Sequence, residues 1–84
     1  MKLIKLSASW CQPCKMLSST LSAIDHPLIS SMSEVDIDAS PDVVKQYGVR
    51  GVPTMILVDD QGSEIRRVSG SLSKEKIISF LDGQ

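Results

Sequence analysis

Two cysteines, Cys11 and Cys14, stand two residues apart, just after a short apolar segment and at the head of a helical period. The segment runs from Lys2 to Ser7 with Leu3, Ile4 and Leu6. It reads as a short strand buried on both faces, with Lys5 an anomaly in its middle. After Ala8, Ser9 and Trp10, the residues Cys14, Leu17, Leu21 and Ile24 fall on one helical stripe. Pro13 sits in the first turn, where its missing N–H is harmless. Asp25-His26-Pro27 stops the helix. A cysteine pair that opens a helix directly after a strand constrains the fold far more than its spacing alone.

The rest of the chain continues the pattern. Ser31 to Asp38 alternates, Val35 and Ile37 on one face and Glu34 and Asp36 on the other, as a half-buried strand does. Ser40 reads as an N-cap, Pro41 as the first helical residue and Gly48 as the C-cap of a short helix. Met55 to Val58 is an apolar strand. Asp59-Asp60-Gln61-Gly62 has hairpin-turn composition, and Glu64 to Val68 returns. Gly70 breaks that strand. Ser73 caps a last helix with Ile77, Ile78, Phe80 and Leu81 on its apolar face. This order predicts an α/β fold: a βαβ unit, then a hairpin and a helix. They form one domain over residues 1–84, with a four-stranded mixed sheet (βαβαββα) and helices on both faces.

Such a short chain sits near the lower limit for an unaided hydrophobic core, so a staple is worth seeking. The cysteines are a poor one. About 3 kcal/mol of disulfide stabilisation needs a loop of about 15 residues, and Cys11–Cys14 closes a loop of four. Zinc needs about four ligands, and only His26, which reads as a surface loop residue, is left to join the pair. No metal or bound cofactor is expected. Redox chemistry remains, in a reducing cytoplasm. The 9 basic and 10 acidic residues are well mixed, which argues against nucleic acid or a membrane surface held by bulk charge. No apolar run approaches the ~20 residues of a membrane span. Met1-Lys2-Leu3-Ile4-Lys5 is too short and too charged for a secretory signal.

At a helix N-terminus, free N–H groups and the helix dipole favour the Cys11 thiolate, the nucleophile of disulfide exchange. Cys14, one turn on, lies on the buried stripe. An exposed Cys11 that attacks and a sheltered Cys14 that resolves is the division of labour expected of a dithiol reductant.

At this point the chain resembles the thioredoxin family. Trp10-Cys11-Gln12-Pro13-Cys14-Lys15 is similar to its active-site motif. Tyr47-Gly48-Val49-Arg50-Gly51-Val52-Pro53-Thr54 is similar to its second motif. Val35-Asp36-Ile37-Asp38 and Val68-Ser69-Gly70 match in order, so the resemblance spans essentially the whole chain. It implies a protein-disulfide reductase in which Cys11 attacks and Cys14 resolves, and in which the two form a disulfide when oxidised. Pro53 would be a cis-proline opposite them. Val52 would pair its backbone with an extended substrate segment. Trp10, Gln12, Pro13, Gly51 and Gly70 would line the substrate groove. A separate thioredoxin reductase would supply electrons, ribonucleotide reductase is one candidate client, and the protein would act as a monomer.

The chain also departs from the family. Gln12 replaces a usual glycine. The family's buried aspartate and its lysine partner stand exchanged here as Lys5 and Glu34, which would form a reversed pair, Glu34 taking the proton of Cys14. The strand and helix that full-length relatives carry before the position of Met1 have no counterpart, so Ser31 to Asp38 would be a sheet edge. A glutathione-fed, glutaredoxin-like enzyme is the nearest rival, disfavoured because Pro-Tyr between the cysteines and a double glycine near Gly70 are both missing. A docking module with dispensable thiols is the rival from another class.

Overall fold

A computed structural model describes residues 1–83. The strands are β1 (Lys2–Ser7), β2 (Ser33–Asp36), β3 (Thr54–Val58) and β4 (Glu64–Ser69). The helices are α1 (Gln12–Ser22), α2 (Pro27–Ser30), α3 (Pro41–Tyr47) and α4 (Lys74–Asp82). The sheet order is β2-β1-β3-β4. β1 runs parallel to β2 and antiparallel to β3, and β3 antiparallel to β4. This is the expected four-stranded mixed sheet.

The central strands are apolar on both faces because both faces are covered. Leu3, Met55 and Leu57 pack against Leu17 and Leu21 of α1 and Ile77, Phe80 and Leu81 of α4. Leu6, Ile56 and Val58 point the other way, toward Val43, Val44 and Tyr47 of α3. The period-2 alternation of a strand thus sorts its side chains between two helical layers. β2 buries only alternate residues, as its position at one end of this sheet requires.

Four local details differ from the sequence expectation. The segment that stops α1 also starts α2. His26 Nδ1 accepts the Leu28 N–H at 3.1 Å, and Pro27 is the first helical residue, so one short motif ends a helix and caps the next. His26 Nε2 lies 3.2 Å from Asp82 Oδ1, so the residue ties α2 to α4 rather than lying free in a loop. β2 is shorter than Ser31 to Asp38, because Asp36 Oδ1 accepts the Asp38 N–H and turns the chain. Ser40 occupies the N-cap of α3 without a side-chain hydrogen bond. Its carbonyl already accepts the N–H groups of Val43 and Val44. Gly48 does end α3 with φ +61°, the left-handed turn that favours glycine.

Long-range arginine contacts close the structure. Arg66 donates from Nε to the Phe80 carbonyl (2.7 Å) and from Nη2 to that of Leu81 (3.2 Å), satisfying the end of α4 from β4. Arg67 reaches the Tyr47 carbonyl and pairs with Glu64. The Arg67 hydrogen bond holds the Glu64 carboxyl below its ordinary value of 4.5. A lowered folded value means the contribution is complete above the ordinary glutamate range and is lost as pH falls through the folded value. Both side chains are one-third exposed, so solvent screening keeps the pair weak. Glu64→Gln is expected to lower stability by about 0.5 kcal/mol or less at neutral pH, and this difference should shrink as pH falls below the ordinary glutamate range, read by urea denaturation.

Candidate active site

The C-terminal end of β1 delivers the chain to the cysteines. Cys11 donates its N–H to the Ala8 carbonyl at 3.2 Å and is the N-cap of α1. Its sulfur accepts the Cys14 N–H at 3.2 Å, so a free helix-terminal donor is aimed at the sulfur that must carry charge. Gln12 and Pro13 are the first residues of α1, and Pro13 removes an N–H the helix does not need. Cys11 and Cys14 are joined as a disulfide, their Cα atoms 5.3 Å apart.

Cys11 does not have the exposure expected of it. It is 5% exposed and Cys14 3%, so both sulfurs are covered in the disulfide form. The cover comes from Ala8 and from the distant Val52 and Ile37. Helical position alone, which separates Cys11 from the buried stripe, does not register a neighbour 41 residues away.

That neighbour belongs to the 51–54 loop. The Val52–Pro53 peptide is cis. The Val52 carbonyl oxygen lies 3.8 Å from Cys11 Sγ. Thr54 Oγ1 donates to the Gly51 carbonyl at 2.7 Å, and Gly70 donates its N–H to the Pro53 carbonyl at 2.9 Å, so the loop is held from both sides. Among the described residues, the N–H and C=O of Val52 enter no backbone hydrogen bond. Gly70 has φ +93°, which calls for glycine. Gly51 does not: its φ is ordinary and a Cβ there would meet nothing within 4 Å, so its smallness leaves open surface. Trp10 is 66% exposed, so it is not a core aromatic. Its Nε1 donates to Asp38 Oδ2 at 2.9 Å. A cavity of about 280 Å³ lies between Trp10, Ile37, Val49, Gly51 and Val52.

Asp38 was not singled out as a site residue from the sequence. The parallel register pairs Ser7 with Asp36, so Asp38 comes level with Ser9 and Trp10. Pairing β1 with β2 is the signal that finds it.

A family model described as thioredoxin matches residues 1–83. A thioredoxin of Chlamydia caviae is 40% identical over 81 residues, covering 95% of this chain and 78% of that protein. The SPbeta prophage-derived thioredoxin-like protein YosR of Bacillus subtilis is 41% identical over 70 residues, covering 83% and 82%. The solved thioredoxin of Malassezia sympodialis superposes with a TM-score of 0.82 at 27% identity, covering 96% of this chain and 71% of that one. The chain belongs to the thioredoxin family. It is a thiol–disulfide oxidoreductase with Cys11 and Cys14 as its redox pair, and the family acts on protein disulfides. No helix among the described residues is long and apolar enough to cross a membrane.

The reversed charges of this thioredoxin-family chain meet. Lys5 Nζ donates to Glu34 Oε1 at 3.0 Å, across the parallel β1–β2 pair, and also to Ser18 Oγ of α1. Lys5 is 1% exposed and the Glu34 side chain 58%. Lys5 therefore does not reach the surface. Among the described residues no hydrogen bond joins Lys5 or Glu34 to Cys14. His26, the remaining candidate for a zinc set, faces Asp82 and not the cysteines.

Proposed function

We propose that the chain reduces protein disulfides, with Cys11 as attacking and Cys14 as resolving thiol. Cys11 thiolate attacks one sulfur of the substrate disulfide. That S–S bond breaks, the first substrate sulfur leaves as a thiolate, and the second is held in a mixed disulfide with Cys11. Cys14 loses its proton and attacks Cys11 Sγ. The Cys11–substrate bond breaks, the second substrate thiolate leaves, and the Cys11–Cys14 disulfide forms. Two electrons have passed to the substrate, and its two thiolates take up protons from water according to their own acidity.

The observation that carries this reading is the unpaired backbone of Val52, its carbonyl 3.8 Å from Cys11 Sγ. An extended substrate strand has there both a donor and an acceptor to pair with, beside the reacting sulfur. Trp10, Gln12, Pro13, Gly51, Pro53 and Gly70 border that strand. The open surface at Gly51 lets the substrate backbone approach. Glu34, tied to Lys5, takes up the proton that Cys14 releases, through water. The protein works as a monomer in the cytoplasm, where a separate thioredoxin reductase keeps it reduced, and ribonucleotide reductase is among its clients. Supporting the cytoplasmic reading, a disulfide loop of four residues adds little stability and serves best as one half of a turnover.

The donor assay tests this. Reduction of a protein disulfide is followed with NADPH and thioredoxin reductase, and separately with glutathione and glutathione reductase. Turnover is expected with the first and only background with the second. Turnover with glutathione alone overturns the donor assignment.

A further inference from the structure

Lys5 is the one charged side chain in the buried core of the described residues. The exchange cycle above gives its ammonium no task. Its surroundings suggest one. It is held by Ser18 Oγ, and Ser18 follows Cys14 by four residues on α1, so their Cβ atoms lie about 6 Å apart on one helical face. The ammonium is therefore anchored one turn below the resolving sulfur. Its counter-charge, Glu34, is asymmetrically placed. The ammonium is 1% exposed and the carboxylate 58%. Water screens the carboxylate, whereas the Lys5 side chain, out of water although its partners Ser18 and Glu34 are exposed residues, is screened less. The pair does not cancel as seen from Cys14: its positive end dominates.

We propose that Lys5 is a positioning residue for the redox step, which stabilises the Cys14 thiolate and so biases the pair toward its reduced form. The proposal rests on Cys14 being the resolving thiol. In resolution Cys14 must shed its proton, through water toward Glu34, before its sulfur can form the bond to Cys11 and expel the substrate thiolate. A buried cation raises the fraction of Cys14 poised to do so. The same stabilisation belongs to the reduced pair once Cys14 is ionised and vanishes in the disulfide, which carries no charge. It therefore makes the pair a weaker reductant than it would be over a neutral residue.

The other charged groups nearby do not compete. Asp36, on the Glu34 face of β2, is exposed and spent on the Asp38 N–H. Lys15 on α1 is exposed to water. The β3 residue paired with Lys5 is Met55, which is apolar and buried.

The test uses Cys11→Ser, which leaves Cys14 as the sole thiol, alone and combined with Lys5→Met. Thiolate absorbance near 240 nm is followed against pH. In the two-cysteine protein, the dithiol–disulfide equilibrium is measured against glutathione. Lys5→Met is expected to move the Cys14 midpoint up by about one pH unit, a tenfold loss of thiolate at fixed pH. At a pH above both midpoints it should also shift the equilibrium about tenfold toward the disulfide, or about 30 mV more reducing. Lys5→Gln, which keeps a polar group beside Ser18 and Glu34, should move both the same way and decides the matter if the methionine variant does not fold. An unmoved or lowered midpoint overturns the proposal. Neither readout uses a protein substrate. A chain that fails to reduce protein disulfides while its Cys14 midpoint still answers to Lys5 would sink the functional reading and leave this one standing.

Discussion

Cys11→Ser is expected to bring protein-disulfide reduction down to the uncatalysed rate while leaving the fold in place. A serine hydroxyl does not ionise near neutral pH, and nothing beside it in the site is built to take its proton. The Cys14 N–H that points at Cys11 Sγ would still cap α1 through the new oxygen. Cys14 is not expected to substitute, because it lies inside the first turn of α1 and the sulfur facing the Val52 carbonyl, where the substrate strand pairs, is that of Cys11. Cys14→Ser should behave differently. It leaves the first half-reaction intact and removes the second, so a mixed disulfide with the substrate accumulates and is visible by mass. The two variants together separate a reductase from a docking surface. A docking module keeps its biological effect in Cys11→Ser and traps nothing in Cys14→Ser.

Much of this site was legible because its parts are local. The strand before Cys11, the proline in the first turn and the stripe of Cys14, Leu17 and Leu21 depend on neighbours within a few residues. The architecture follows from the same local patterns, since four segments of strand character and the Asp59–Gly62 turn leave few ways to assemble a sheet. What escaped depends on distant partners. The cover over Cys11 comes from Val52, and the satisfied end of α4 comes from Arg66, which had no distinguishing mark in a polar strand. Asp38 became visible only through the β1–β2 register.

Lys5 is the instructive case. A lysine amid Leu3, Ile4 and Leu6 stands out in the sequence, and a side chain so placed either escapes to the surface or is held inside by a partner. Escape is blocked because β1 is flanked on both sides and its faces are covered by α1 and α3. The ammonium stays within the core and takes both polar atoms within reach. Position in the sheet, not residue type, decided between the two.

The largest stability effect is expected at the middle of that sheet. Leu57 is fully buried on β3, the strand that joins β1 to β4, and packs into the layer closed by α1 and α4. Leu57→Ala removes three carbons from a space its neighbours cannot fill, because strands hydrogen-bonded on both sides do not move inward. Losses of about 2–5 kcal/mol accompany such truncations. A chain this short has about 4–13 kcal/mol in total, so the variant is expected to sit near its unfolding threshold at 37 °C. Ile65→Ala, on β4 and 44% exposed, should lose no more than about 0.5 kcal/mol. Urea denaturation with an unchanged slope reads both. The loss at Leu57 should be nearly the same in oxidised and reduced protein, because closing a four-residue loop changes the unfolded chain little. A loss below about 1 kcal/mol would mean that the α1–α4 layer is not closed over β3. A loss confined to the reduced form would mean that the disulfide, and not this layer, holds the small core together.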